Sequence, residues 1–143
     1  MSERHRGDVE RDAQRMFKDD HASRALGMQL VTVAPGTARL QMTVTTAMTN
    51  GHGICHGGLI FTFADSAFAF ACNSYGEAAV AAAASIDFLA PARVGDQLTA
   101  DARELWHAGR TGIYDVVVTN SEGAMIAQFR GRSKRITPPK AHR

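Results

Sequence analysis

Cysteine is scarce in this 143-residue chain: Cys55 and Cys72 are the only two. Two thiols do not make a disulfide scaffold, and their sparing use fits a reducing, cytoplasmic setting. Long apolar runs are missing too. No stretch free of helix breakers reaches the ~20 residues that a membrane-spanning helix needs. Positions 1–20 are polar and charged, without the apolar centre of an export signal. Excess charge of one sign is also absent: the formal net charge of +2 is too small to imply nucleic acid as a partner. No internal repeat and no second domain is visible. What is left is one globular domain, 45% hydrophobic and 21% charged, large enough for a real core.

Against that background one segment stands out. His52-Gly-Ile-Cys-His-Gly-Gly58 is a glycine-rich loop with two histidines, and it runs into a stretch that is apolar or small from Leu59 to Cys72. The stretch is too long for a strand and rich in alanine, which predicts a helix, here over 58–75 with Gly76 as its stop. Ala, Phe and Leu lie on nearly every side, so other structure should wrap it. One acid, Asp65, interrupts it. A carboxylate in apolar surroundings costs several kcal/mol unless it is paired, neutralised or used. The glycines ahead of the helix leave free backbone N–H groups at its positive end, a site for developing negative charge.

Around this centre the pattern is mostly strand. Residues 1–8 read as a disordered lead and 9–22 as a short amphipathic helix using Val9, Ala13, Met16 and Phe17. Residues 28–33 and 37–44 predict a hairpin about the Pro35-Gly36 turn, with Ala38, Leu40, Met42 and Val44 on one face. Residues 79–89 are alanine-rich, yet they end in Ser-Ile-Asp-Phe-Leu before Pro91 and are read as strand. Strands follow over 95–106, 111–120 and 124–136, and 137–143 read as a disordered tail. The single domain is thus 9–136, α+β, with a long antiparallel sheet curled around one helix. Its sheet's other face, or its edge, needs a cover that a chain this size lacks, which predicts a partner subunit.

The string Asn50-Gly-His-Gly-Ile-Cys-His-Gly-Gly58, with Phe61-x-x-Ala-Asp65-x-Ala-Phe68 and Ala71-Cys-Asn-Ser74, resembles the PaaI-type thioesterases of phenylacetate degradation. So do Ser85–Pro91, Gly95–Ala100, Gly109–Asp115 and Phe129–Ile136. The resemblance implies the hotdog fold and hydrolysis of aryl-acetyl-CoA thioesters such as phenylacetyl-CoA, with no cofactor beyond the coenzyme A of the substrate. It puts the family's asparagine on Asn50, its oxyanion-binding glycine on Gly57 and its catalytic acid on Asp65. It also implies a tetramer built from two hotdog dimers.

These residue types suit the chemistry. The Gly57 N–H can hold charge on the thioester oxygen, and Asp65 can activate water or attack the carbon itself. On one helix the two would stand ~12 Å apart, whereas reacting atoms must come within roughly 3–3.5 Å. Two antiparallel helices from two subunits would bring Gly57 of one chain to Asp65 of the other. The bland alternatives are a structural acid at 65, turn geometry at Gly57 and Gly58, and an Asx turn at Asn50. His52, Cys55 and His56 hint at zinc, but no further clustered ligand is visible, so no metal is expected. His56 and Gly58 are expected beside the substrate, and Phe61 and Phe68, with Tyr75, are guesses for the acyl pocket. Basic residues crowd the C-terminal end: Arg130, Arg132, Lys134, Arg135, Lys140 and Arg143. Arg110, Arg130, Arg132 and Lys134 are candidates for the phosphates of coenzyme A. A hotdog hydratase or dehydratase and a non-catalytic acyl-CoA-binding module are the competing functions.

Overall fold

The structure, a computed structural model, describes residues 4–136. The expected tail over 137–143, with Lys140 and Arg143, lies outside the described residues. Helix α1 spans Arg6–Asp19 and α2 His21–Ala25. Strands β1 (Gln29–Ala34) and β2 (Thr37–Thr43) form the expected hairpin. A short 3₁₀ turn, Thr46–Met48, leads to the central helix α3, Gly57–Cys72. Then come β3 (Ala79–Phe88), β4 (Gln97–Ala108), β5 (Thr111–Thr119) and β6 (Met125–Arg135).

The lead expected over 1–8 is corrected in part, since α1 already starts at Arg6. Arg6–Glu10 and Asp8–Arg11 ion pairs lie at helical spacing along its first turns, and Arg4 reaches Asp12. Val9 and Ala13 face the core.

All six strands belong to one antiparallel sheet in the order β1-β2-β4-β5-β6-β3. Helix α3 lies across one face and touches every strand. Its Phe63, Ala64, Ala67, Phe68, Phe70 and Ala71 are buried, against Leu40, Met42, Leu98, Val116 and Phe129 of the sheet. This is the expected hotdog arrangement. The β2 face is as the alternation predicts, with Ala38, Leu40, Met42 and Val44 all buried.

Helix α3 starts one residue before the expected position and ends three residues early. Asn73 stops it: its side-chain amide donates to the Ala69 and Ala79 carbonyls and its oxygen accepts from the Ala79 N–H. Next to it, the Ser74 hydroxyl donates to the Ala71 carbonyl and accepts from the Gly36 N–H. Side chains that bond the backbone in this way compete with the helix.

The outer face of the sheet is partly polar. It carries ion pairs across strands, Arg39–Asp101 at 2.6 Å and Arg130–Asp115 at 2.7 Å. Large apolar side chains are exposed on several strands: Val80 is 47% and Phe88 53% exposed on β3, where Ala81–Ala84 face solvent, and Leu105 is 39%, Trp106 52% and Met125 46% exposed on β4 and β6.

Candidate active site

The loop into α3 is held at each step. The Asn50 side-chain oxygen accepts from the His52 and Ile54 N–H groups at 2.9 and 3.3 Å. The Cys55 N–H donates to the Ala92 carbonyl and the His56 N–H to that of Met48, both at 2.8 Å. Asn50 therefore forms the Asx turn, which leaves its amide nitrogen as the group it can turn toward a ligand. His56 caps the helix: its Nδ1 accepts from the Gly58 N–H at 2.9 Å, which puts the ring proton on Nε2. The imidazole is thereby used as a cap. Among the described residues no three His, Cys, Asp or Glu side chains gather as they would to hold a metal.

The cap decides which amide is free. The N–H groups of Leu59 and Ile60 donate to the His56 carbonyl, and that of Gly58 to the His56 ring. Among the described residues only the Gly57 N–H of this turn meets no acceptor. Gly57 and Gly58 both have ordinary negative φ, so backbone conformation does not demand glycine at either. A Cβ on Gly57 would stand 3.2 Å from the Phe88 ring, which lies beside its Cα.

Asp65 lies on the same continuous helix, ~12 Å further along and ~80° round from Gly57. It belongs to the half-buried stripe Thr62, Asp65, Ala69 and Asn73 that the sheet does not cover. No donor among the described residues reaches its carboxylate, so it caps nothing among them. Burial raises its pKa above the ordinary carboxylate value, and the charge of Asp20 raises it further.

The other expected residues are not gathered here. Phe61 is half-buried, its ring edge-on to Phe129 at 5.4 Å. Phe68 is corrected to a core residue: it is 1% exposed, packed on Tyr114 and Phe129, with its ring over Gly131. Tyr75 lies past the opposite end of α3, where its hydroxyl donates to Glu104 and Arg135 stacks on its ring. In β6, Phe129, Gly131 and Ser133 are buried toward the helix, so Arg130, Arg132 and Lys134 share the outer face. Arg130 grips Asp115 there through two hydrogen bonds. Arg110 is exposed at the β4–β5 turn. Within one chain the sheet thus separates Arg130, Arg132 and Lys134 from Gly57 and Asp65. Two neighbours of the site went unforeseen. Phe88 comes from a distant strand with no local signal. Asp20, three residues before Ser23, does carry the sequence mark of a helix cap.

Residues 52–127 match the model of the thioesterase superfamily. The chain belongs to the thioesterase superfamily. Acyl-coenzyme A thioesterase PaaI of Escherichia coli (strain K12) is 47% identical over 125 residues, 87% of this chain and 89% of that protein. The solved structure of the E. coli PaaI protein superposes with a TM-score of 0.89 at 46% identity, covering 90% of this chain and 94% of that one. A Streptococcus mutans UA159 protein solved bound to acetyl CoA matches with a TM-score of 0.75 at 28% identity, covering 79% and 91%.

For a thioesterase-superfamily chain the geometry has a plain consequence. A free amide and an unpaired acid are both present, but one helix holds them too far apart to serve one carbonyl. A cavity of about 1180 Å³ does open in the single chain, between α1, β1 and Tyr75. It contains neither Gly57 nor Asp65. Its cations are already paired, Arg4 with Asp12, Arg6 with Glu10, Arg11 with Asp8 and Arg135 with Glu77. It therefore offers little net attraction to a phosphate.

Proposed function

We propose that the protein hydrolyses acyl-CoA thioesters, of the aryl-acetyl class that includes phenylacetyl-CoA, at a site shared by two copies of the chain. The observation that carries this reading is the pairing on α3 of an amide that meets no acceptor among the described residues, at Gly57, with a half-buried carboxylate that meets no donor among them, at Asp65. The E. coli relative's name and the acetyl CoA in the S. mutans structure support the substrate class. The phenylacetic acid degradation operon, from which the E. coli PaaI structure comes, supports the aryl-acetyl preference.

In the proposed reaction the thioester oxygen accepts a hydrogen bond from the Gly57 N–H at the positive end of α3. Asp65 of the second chain lies on the other side of the carbonyl carbon. Its carboxylate either takes a proton from an attacking water or attacks the carbon itself. The coenzyme A thiolate then leaves, and water supplies the oxygen of the acid product. Burial around Asp65 favours this chemistry, because a carboxylate of raised pKa binds a proton more readily near neutrality. Label found in the enzyme carboxylate after single turnover in ¹⁸O-labelled water would count against the water-activation route, since it requires an anhydride between Asp65 and the acyl group.

The second copy would pair at the β3 edge, a ten-residue strand with exposed apolar side chains and an open backbone edge. Such pairing would bring two α3 helices side by side. Arg130, Arg132, Lys134 and Arg110 would meet coenzyme A phosphates only from a further subunit, one whose outer sheet face turns toward the site. Two such dimers would form the tetramer, in the cytoplasm. The test is release of free thiol from phenylacetyl-CoA by the purified protein, and its loss in folded Asp65→Asn and Asp65→Ala. Tight coenzyme A binding without turnover would instead make the protein a binding module.

A further inference from the structure

Helix α2 is only five residues long, yet it meets α3 through polar groups rather than apolar ones. Asp20 caps it, accepting from the Ser23 N–H at 3.0 Å and from the Ser23 hydroxyl at 2.6 Å. The Ser23 hydroxyl is in turn 2.7 Å from that of Ser66, the residue that follows Asp65. Ser23 is 1% exposed and Ser66 8%. Since Ser23 donates to Asp20, the Ser66 hydroxyl donates to Ser23, and the order of the chain is Ser66 to Ser23 to Asp20. A buried hydrogen-bond chain thus ties a second carboxylate to α3 beside Asp65.

We propose that Asp20 is a positioning residue for the Asp65 carboxylate, fixed against α3 by the bonded pair Ser23 and Ser66. Its negative charge does two things there. It repels the Asp65 carboxylate from the α2 side. It also makes the ionised form of Asp65 less favourable, so that the carboxylate is a stronger base. Among the described residues no cation pairs with Asp20 or Asp65. On α2 itself His21 and Arg24 are exposed, and Arg24 donates to the Lys18 carbonyl. Cys72, on α3, has its pKa pushed up to about 12 by burial first and then by Asp65, so it stays neutral at working pH. The strands under this part of α3 present Leu40, Met42, Leu98 and Val116. Glu104 and Tyr114 lie toward the far end of the helix, bonded to each other.

The inference rests on Asp65 as the catalytic acid, and the experiment separates the two claims. The pH profile of kcat/KM for thiol release is measured for wild type, Asp20→Asn, Asp20→Ser, Asp20→Glu and Asp65→Asn. Asparagine and serine keep the helix cap and remove the charge, whereas glutamate keeps the charge. The expected result is an acid limb lowered by about half a pH unit or more in Asp20→Asn and Asp20→Ser, with Asp20→Glu close to wild type. Half a unit is ~3-fold in the ionised fraction below the limb. Two uncharged caps are included so that one variant failing to fold does not end the test. Superimposable acid limbs for wild type and the folded uncharged variants, with Asp65→Asn inactive, would overturn the inference alone. An active Asp65→Asn would overturn the reading beneath it.

Discussion

Alanine at position 57 separates the two reasons for glycine there. Gly57 has an ordinary φ, so the backbone accepts a side chain without strain. The added Cβ meets only the Phe88 ring, at 3.2 Å, and Phe88 is half exposed and can yield by a few tenths of an ångström. Alanine also favours the helix by up to about 1 kcal/mol. Stability should therefore change by no more than about 1 kcal/mol. The methyl group does, however, stand beside the free N–H to which the proposed reaction brings the thioester. A displacement of ~1 Å costs about 10²-fold in rate, or about 2.7 kcal/mol. Gly131→Ala is the control with the opposite signature. Its Cβ would stand 2.8–2.9 Å from three carbons of the buried Phe68 ring, which has no room to move. It should lose about 1–3 kcal/mol of stability while kcat/KM of the folded enzyme stays near wild type. Thermal melts and thiol-release kinetics on both variants read the two axes. A Gly57→Ala enzyme with full kcat/KM, or one that unfolds, would refute the reasoning.

Further outcomes are expected elsewhere. Asp65→Asn should abolish turnover and leave the protein at least as stable at neutral pH. A raised folded-state pKa means that ionising Asp65 opposes folding, so the variant's advantage should shrink as pH falls below the raised folded value and vanish below the ordinary carboxylate value; melts across pH check this. His56→Ala removes the cap on Gly58 and should cost about 1 kcal/mol, which His56→Asn should partly restore, together with activity, because asparagine caps well. Glu104 accepts from the hydroxyls of Tyr75 and Tyr114, the chain's two tyrosines. Tyr75 is pushed up to about 12 by burial first, then by its bond to Glu104. Phenolate absorbance should therefore stay low well above pH 10 in wild type and rise earlier in Glu104→Gln. Stability should fall as pH rises from about 10 through the folded value.

Much of the fold was legible because two periods are written plainly in the chain. The alternation Ala38, Leu40, Met42, Val44 and the apolar run around Asp65 each had one reading, and both hold. Even the alanine-rich β3 was readable, through its Ser-Ile-Asp-Phe ending. Strand order was not: β3 crosses to the far edge beside β6, and β2 meets β4, through pairings between residues dozens of positions apart. The end of α3 was hidden for another reason. Propensity favoured continuation to Tyr75, but Asn73 and Ser74 spend their side chains on backbone groups brought near only by the fold. Within the site, the chemical oddity of Asp65 and the glycines before the helix could be read directly. Phe68 could not be told from a pocket residue, because an apolar ring facing the core and one facing a ligand look alike in sequence.

The claim that two chains share each site is tested most directly by mixing two inactive proteins. Asp65→Asn and Gly57→Ala chains, carrying different tags, are co-expressed and hybrid assemblies purified. In a hybrid dimer one site joins an intact Gly57 from one chain to an intact Asp65 from the other, while the second site carries both changes. Purified hybrids, with one working site of two, should regain about half of wild-type activity. Purified hybrids no more active than their parents would contradict the shared site.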